Sequence, residues 1–310
     1  MPDLERVQRA REILEGQLEE CRLCPWECGV NRKAGERGRC GLPAAPVVSG
    51  YEPHFGEEAC LVGERGSGAV FFTGCNLFCV FCQTWEISRE RRGKEISVEE
   101  LAQIFLKLAE EGCENLNLVT PTPQIPAILA ALEEVLQRGW RLPVVYNSGG
   151  YERVEVLQAL EGVVDIYLPD FKVWEPEVAE RLLGARDYPQ QAREGVKEMW
   201  RQVDGLELDE RGVARRGLIV RHLVLPENLA GTGKILHFLA REVSPAVRVN
   251  LMGHYHPEGR AYEMPPLDRP LRRAEWRIAL SEAQKAGIFN LDRTHWPLLD
   301  LILLDNSAGG

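Results

Sequence analysis

No stretch of the chain stays apolar for the ~20 residues that a membrane-spanning helix needs. The longest apolar run lies near Leu298–Leu304 and is interrupted by Asp300. Met1–Glu20 alternates charged and apolar residues and lacks the apolar centre of a signal peptide. These absences predict a cytoplasmic protein with no membrane partner. Positive charge is also short, because 37 Lys and Arg face 47 Asp and Glu, for a net charge of −10. Sequence-independent nucleic-acid binding needs a cationic footprint, so that class is excluded. Two local basic stretches, Arg211–Arg216 and Arg269–Arg277, have Gly, Pro or acidic neighbours and read as solvated faces.

Several common catalytic signatures are missing as well. Gly231-Thr232-Gly233-Lys234 resembles part of a phosphate loop, but the motif's first glycine falls on Asn228 and Ile235 stands where Ser or Thr is required. Gly63, Gly66 and Gly68 do not form Gly-x-Gly-x-x-Gly, and neither His-Glu-x-x-His nor Gly-x-Ser-x-Gly occurs. There is no internal repeat and no low-complexity tract, apart from a tail at Asn306–Gly310 that is expected to fray.

What is present suffices for a large core: 310 residues, of which 45% are hydrophobic. Asp3–Glu20 reads as an amphipathic helix with Leu4, Val7, Ile13, Leu14 and Leu18 available for one face. Cys21–Cys40 is loop-rich, and 41–68 carries Gly and Pro with little periodicity. Beyond it, short apolar runs alternate with helical patterns. The runs are Ala69–Thr73, Leu116–Val119, Leu142–Tyr146, Val163–Leu168, Leu218–Leu225 and Val247–Leu251. Ser97, with Glu100 three residues on, forms a capping box that opens one of the helices. This alternation predicts parallel β/α units joined by right-handed crossovers. The expected fold is α/β, a partial (β/α)6 TIM-type barrel over 65–260. A cysteine-rich N-terminal extension, 1–64, precedes it, and a helix and tail, 261–310, follow. Chemistry in such folds sits at the C-terminal ends of the strands. The cysteine motif, Asn147, Asp170 and His254/His256 all fall just after predicted strands.

Nine cysteines in a reducing compartment are metal ligands or buried thiols rather than disulfides. Three of them stand in Thr73-Gly74-Cys75-Asn76-Leu77-Phe78-Cys79-Val80-Phe81-Cys82-Gln83, a loop after a strand. Such a loop can wrap one iron–sulfur cube, for which thiolates are the usual ligands. Three protein ligands leave one iron open, and an open position marks a catalytic rather than a structural metal site. A second group, Cys21, Cys24, Cys28 and Cys40, supplies four thiols, with Gly29, Gly35 and Gly38 to turn the chain around a metal, either zinc or an iron–sulfur cluster. Cys60 and Cys113 have no partners by spacing and are expected to be buried. His54, Glu57 and Glu58 form a polar group before the first predicted strand. They are placed at the surface, with a role over the barrel mouth as the alternative.

Cys75-x-x-x-Cys79-x-x-Cys82, with Phe81 before the third cysteine, resembles the signature of the radical S-adenosylmethionine superfamily. Phe71–Leu77, Cys82-Gln83 and Glu86-Ile87-Ser88 look like its pyruvate formate-lyase activating enzyme-like branch, in a subgroup whose members mostly lack an assigned substrate. The resemblance implies a [4Fe–4S] cluster on Cys75, Cys79 and Cys82. It also implies S-adenosylmethionine on the open iron and a 5′-deoxyadenosyl radical as product of reductive cleavage. Asp170-Phe171-Lys172 resembles an Asp-Leu-Lys that contacts the methionine end of the cofactor. Asn147-Ser148-Gly149 resembles an Asn-Gly loop near it, and Arg221 to Pro226 resembles Arg-x-Val-x-Val-Pro. Tyr255-His256 resembles a Tyr-His whose histidine reaches the cofactor, with His254 as the alternative. One departure stands out. Where many members have Gly-Gly-Glu to hold the methionine amine, this chain has Val119-Thr120-Pro121-Thr122-Pro123-Gln124, so Thr120, Thr122 or backbone carbonyls must accept from the ammonium. Similar proteins also start with a cysteine-rich segment. The implied role is an activase that makes a glycyl radical on a partner protein and receives electrons from a reductant such as flavodoxin or ferredoxin. The alternatives are a radical enzyme for a small molecule or peptide, and a non-catalytic iron–sulfur or zinc protein.

Overall fold

A computed structural model of the chain describes residues 1–294 and residue 296. The apolar stretch Leu298–Leu304 and the tail Asn306–Gly310 lie outside the described residues. The described chain forms nine strands: β1 Val47–His54, β2 Ser67–Phe72, β3 Lys94–Glu95, β4 Leu116–Val119, β5 Val144–Ser148, β6 Ile166–Pro169, β7 Glu207–Leu208, β8 Ala214–Leu223 and β9 Arg248–Met252. Their order is β3-β1-β2-β4-β5-β6-β8-β7, with β9 also on β8. Six of them, β2, β4, β5, β6, β8 and β9, pair in parallel in that sequence. This is the expected partial α/β barrel.

The parallel strands are legible because both of their faces are buried, which leaves short apolar runs such as Ile166–Pro169, buried throughout. Periodicity missed the two-residue strands β3 and β7 and the longer β1, which lies antiparallel against β2. It carries Gly50 and Pro53 and exposes Ser49, Tyr51 and Glu52, as an edge-side strand does. Within the segment assigned from sequence to the N-terminal extension, Val47–His54 therefore pairs with the barrel sheet. At the other edge, Leu291 forms a parallel bridge to Val249 and thereby extends the sheet past β9.

Helices cover the outside. The first, α1 (Leu4–Glu15), is capped by Asp3 and buries Val7, Ala10 and Leu14, while Ile13, expected on that face, points to solvent. Helix α2 spans Ala59–Val62 and α3 spans Trp85–Ser88. Helix α4 (Val98–Glu110) starts at the expected capping box: Ser97 Oγ accepts from the Glu100 amide, and the Glu100 carboxylate accepts from the Ser97 amide. Then come α5 (Ile125–Gln137), α6 (Val154–Ala159), α7 (Pro176–Leu183), α8 (Tyr188–Val203), α9 (Thr232–Phe238) and α10 (Arg273–Ala286). No helix among the described residues is long and apolar enough to cross a membrane.

The connection between β1 and β2 corrects the sequence reading. Because His54 pairs with Ser67 at the start of β2, residues 55–66 lie at the N-terminal end of the parallel strands. From there Glu57 and Glu58 enter the barrel and are buried, not at the surface; His54 is half-buried against Phe71. Arg221 of β8 draws them in. Its Nε and Nη2 donate to the two oxygens of Glu58, each at 2.7 Å, and Nη2 also donates to Glu57. Asn250 Nδ2 donates to Glu58 at 2.7 Å and Asn117 Nδ2 to Glu57 at 3.0 Å. Carboxylates this deep persist only when paired and hydrogen-bonded in this way. Cys60 and Cys113 are buried as expected. The basic stretch near Arg211 is tied to acid groups, with Arg211 on Glu114 and Arg215 on Asp209.

Candidate active site

A cavity of about 270 Å³ opens at the C-terminal ends of the parallel strands. The loop after β2 brings Cys75, Cys79, Phe81 and Cys82 to one wall, and exposed Gln83 and Thr84 form part of the rim. Thr120 follows β4, Asn147 and Ser148 end β5, Asp170 and Lys172 follow β6, and Arg221 lies on β8. These expected residues therefore share one cavity although they are spread over more than a hundred positions of sequence. His256 does not join them. The strand β9 ends at Met252, and Met252 and His254 face the cavity. Past that point the chain leaves the barrel, Tyr255 is buried, and the exposed His256 ring lies 3.4 Å from Glu258. The alternative histidine is thus the one at the cavity.

The three thiols are held by their own loop. Leu77 N–H donates to Cys75 Sγ at 3.3 Å, and Cys82 Sγ lies 3.1 Å from Ser88 Oγ. Burial pushes the Cys75 thiol up to about 11 and the Cys79 thiol up to about 12, while the cation of Lys172 favours both thiolates. Arg89 Nη1 donates to the Leu77 carbonyl at 2.9 Å and adds a second cation. Loading with iron must displace those thiol protons.

Opposite the thiols, Lys172 Nζ donates to Asp170 Oδ2. Burial opposes the lysine charge, but Asp170 outweighs it and holds the group above its ordinary value. Tyr188 ties the loops after β5 and β6 together: Lys172 N–H donates to its oxygen at 2.9 Å, and its hydroxyl faces the carbonyls of Gly149 and Asp170. A Cβ on Gly150 would stand 2.0 Å from the Asp170 carbonyl, so only glycine permits this approach.

The turn that replaces Gly-Gly-Glu resolves into two different threonines. Thr120 has φ +61°, a rare backbone for a β-branched residue, and lines the cavity. Its amide donates to the Asn147 carbonyl at 2.8 Å. Thr122 turns away. It is buried and donates to Glu152 at 2.8 Å, and Tyr146 donates to the same carboxyl at 3.1 Å. Burial pushes Glu152 up to about 7 against these hydroxyl bonds. Glu152 had no signal in the sequence, and Glu57 and Glu58 stood out there only as a polar group, since no motif or period marks a carboxylate as buried.

The four N-terminal cysteines also lie near one another. Cys21 is buried and Cys24, Cys28 and Cys40 are half-buried. Burial raises Cys24 and Cys40, and the other thiols of the group raise them further. Among the described residues, no set of three or more His, Cys, Asp or Glu side chains is gathered to hold a metal ion.

A parallel partial barrel with three cysteines at the rim of its strand ends defines a class, and comparison with known proteins agrees. The model of the radical SAM superfamily matches residues 69–204. The chain belongs to this superfamily. It is 35% identical over 291 residues to the uncharacterized protein MJ0674 of Methanocaldococcus jannaschii, covering 91% of this chain and 78% of that one. Among solved structures, TYW1 with a lysine-pyruvate adduct bound gives a TM-score of 0.44 at 12% identity, covering 70% of this chain and 73% of that one. Native anSMEcpe with bound AdoMet gives 0.47 at 12% identity, covering 75% and 65%.

Membership implies a [4Fe–4S] cluster and S-adenosylmethionine. The residues present fit both. Three thiols face one cavity, with Lys172 and Arg89 to balance thiolate charge. Carboxylate, amide, hydroxyl and ammonium groups on the other walls suit the charged methionine end of the cofactor.

Proposed function

We propose that this protein cleaves S-adenosylmethionine reductively and uses the resulting radical to abstract a hydrogen from a backbone glycine of a partner protein. The single observation that carries the reading is the cavity where Cys75, Cys79 and Cys82 face Asn147, Ser148, Asp170, Lys172 and Arg221. Cys75, Cys79 and Cys82 would ligate the cluster, leaving one iron for the cofactor. Bound there, cluster and cofactor supply a one-electron carbon–sulfur cleavage and a deoxyadenosyl radical. Asp170 and Lys172 offer a fixed carboxylate and ammonium to the methionine end. Thr120 offers a hydroxyl and carbonyl to its amine, in place of the absent glutamate. Phe81 and His254 give flat surfaces on which the adenosine can lie, and Arg221 with Asn147 closes the polar base. The cavity opens past exposed Gln83 and Thr84, which gives a protein loop access.

A second reading is radical modification of a small polar molecule or peptide. It is favoured by the charged base of Glu57, Glu58 and Arg221 under the cavity, which a glycine loop does not need. One experiment separates the readings. Anaerobically reconstituted enzyme, reduced with dithionite, should convert S-adenosylmethionine to methionine and 5′-deoxyadenosine. With an α-deuterated glycine-labelled glycyl-radical enzyme, deuterium should enter the deoxyadenosine and the partner should show a glycine-centred doublet by electron paramagnetic resonance. Transfer from a metabolite or peptide alone favours the second reading. No cleavage by fully loaded, reduced enzyme sinks both and leaves a non-catalytic iron–sulfur protein.

A further inference from the structure

The loop that carries the three cysteines has a second face. Phe78 is half-buried and does not line the cavity. The Arg89 guanidinium lies 3.7 Å from its ring centre and that of Arg39 5.1 Å. Arg39 also stacks at 3.6 Å on Trp26, whose Nε1 donates to the Asn76 carbonyl at 2.6 Å. Beside them Arg91 donates to the Cys40 carbonyl and Arg37 to that of Gly41. Arg193 and Arg39 line a wide surface cavity of about 680 Å³ next to Trp26. Among the described residues, none of these five arginines is paired with a carboxylate, although Arg186 in the same cavity is held by Glu177 and Glu180. Glu180 and Asp187 also line that cavity. Arg186 shares its one charge between Glu180 and Glu177, and Tyr151 donates to Asp187.

A patch of this sign is out of keeping with a chain of net charge −10. It lies against the loop that carries the three thiols, to which Phe78 belongs. Phe78 and the five arginines are absent from the lining of the cavity that holds the thiols. Opposed surface potentials steer a charged partner into one orientation and raise its association rate. A nucleic acid or a phosphopeptide would also meet positive charge here, but neither has a reason to sit over the cysteine loop.

We infer that the arginine patch around Phe78 is the docking surface for a small acidic electron-donor protein. The inference rests on the reductive cleavage proposed above, which consumes one electron that this chain cannot supply. The donor is oxidised by one electron. That electron and one electron of the broken carbon–sulfur bond remain on sulfur as a lone pair in methionine, and the deoxyadenosyl carbon keeps the other. No proton moves in this step.

The test compares two reductants on the holoenzyme. Arg37→Glu, Arg39→Glu and Arg193→Glu are combined, leaving Arg89 in place because it braces the cysteine loop. With dithionite, the variant should cleave S-adenosylmethionine at the wild-type rate. With reduced flavodoxin, wild-type cleavage should fall as salt rises, and the variant should lose about tenfold or more in kcat/KM for flavodoxin, the scale of electrostatic steering. An unchanged flavodoxin-driven rate overturns the docking surface, and so does a wild-type rate insensitive to salt. If the triple variant loses both activities, the single variants Arg37→Glu and Arg193→Glu decide by the same criterion. If the wild type cleaves nothing with dithionite, it is the functional reading that fails, and the inference with it.

Discussion

The two cysteine groups of this chain touch, through Trp26 between Cys24 and Cys28 and the carbonyl of Asn76 beside Cys75, yet their surroundings differ. The triad stands at the ends of parallel strands and shares a cavity with Asp170, Lys172, Asn147 and Arg221. The quartet sits in a segment without regular strands or helices between α1 and β1. Arg32, whose charge reaches Cys40, is buried and committed to the carbonyls of Pro43 and Pro123. Both groups have spacing suited to metal. Only one has neighbours able to act on a ligand. The difference teaches that spacing speaks to coordination, while position at the strand ends speaks to chemistry.

Replacing the triad should give the largest effect. Cys75→Ala, Cys79→Ala and Cys82→Ala together should remove the iron of the site and reduce S-adenosylmethionine cleavage below detection, with circular dichroism like that of wild type. Iron content and visible absorption equal to wild type would show that these thiols hold no cluster.

The quartet should answer in the opposite way. We propose that it holds a second, structural metal, which in small zinc modules contributes ~10 kcal/mol or more to folding. Within this larger core, Cys24→Ala with Cys28→Ala should lower metal content by one site. It should also lower the melting temperature, by about 2–4 °C for each kcal/mol lost, while cleavage persists in the folded fraction. Unchanged metal and melting would make the quartet packed thiols. Lost cleavage at full stability would make it part of the reaction and erase the contrast.

How much of this was readable beforehand follows the same division. The six parallel strands and the triad are local: each announces itself within a few residues, by apolar runs or by spacing. The edge-side strand β1 did not, because Gly50, Pro53 and exposed Glu52 break the apolar run. Glu57 and Glu58 were unreadable for a different reason. What buries them is Arg221, more than 160 positions away, and no local pattern carries that information. His254 and His256 share a strand-like parity, so only the path of the chain after Met252 separates them.

Glu152 tests whether the triad's side of the molecule keeps a titratable group against the interest of stability. Its carboxyl is pushed up to about 7, chiefly by burial. An unfolded glutamate titrates near 4.3. Between these values the native state holds a proton that the unfolded state has released, so stability falls as pH rises through about 4.5 to 7 and levels off above. The change amounts to about 4 kcal/mol from this group. Chemical denaturation across that window should show the loss in wild type and a flatter profile in Glu152→Gln. Equal slopes in the two proteins would mean that Thr122, Ser148 and Tyr146 keep the carboxylate ionised.

The smallest effect should come from the ion pair at the cavity wall. Asp170 compensates the buried charge of Lys172, and Tyr188 separately ties their loop to Gly149. Their charges also suit a ligand that carries both an ammonium and a carboxylate. Asp170→Asn and Lys172→Ala should therefore weaken S-adenosylmethionine binding and lower the melting temperature, while iron content stays near wild type. A lost charge-assisted hydrogen bond costs roughly 1.5–3 kcal/mol, or about ten- to a hundredfold in affinity. Equilibrium dialysis of anaerobic holoenzyme measures this directly. Wild-type affinity in both variants would leave the pair as loop structure, and the cavity's claim to the cofactor would then rest on the triad, Asn147 and Thr120. Lower stability with unchanged affinity would go further. It would place this pair with the quartet, among the groups that hold the molecule together rather than those that meet its ligand.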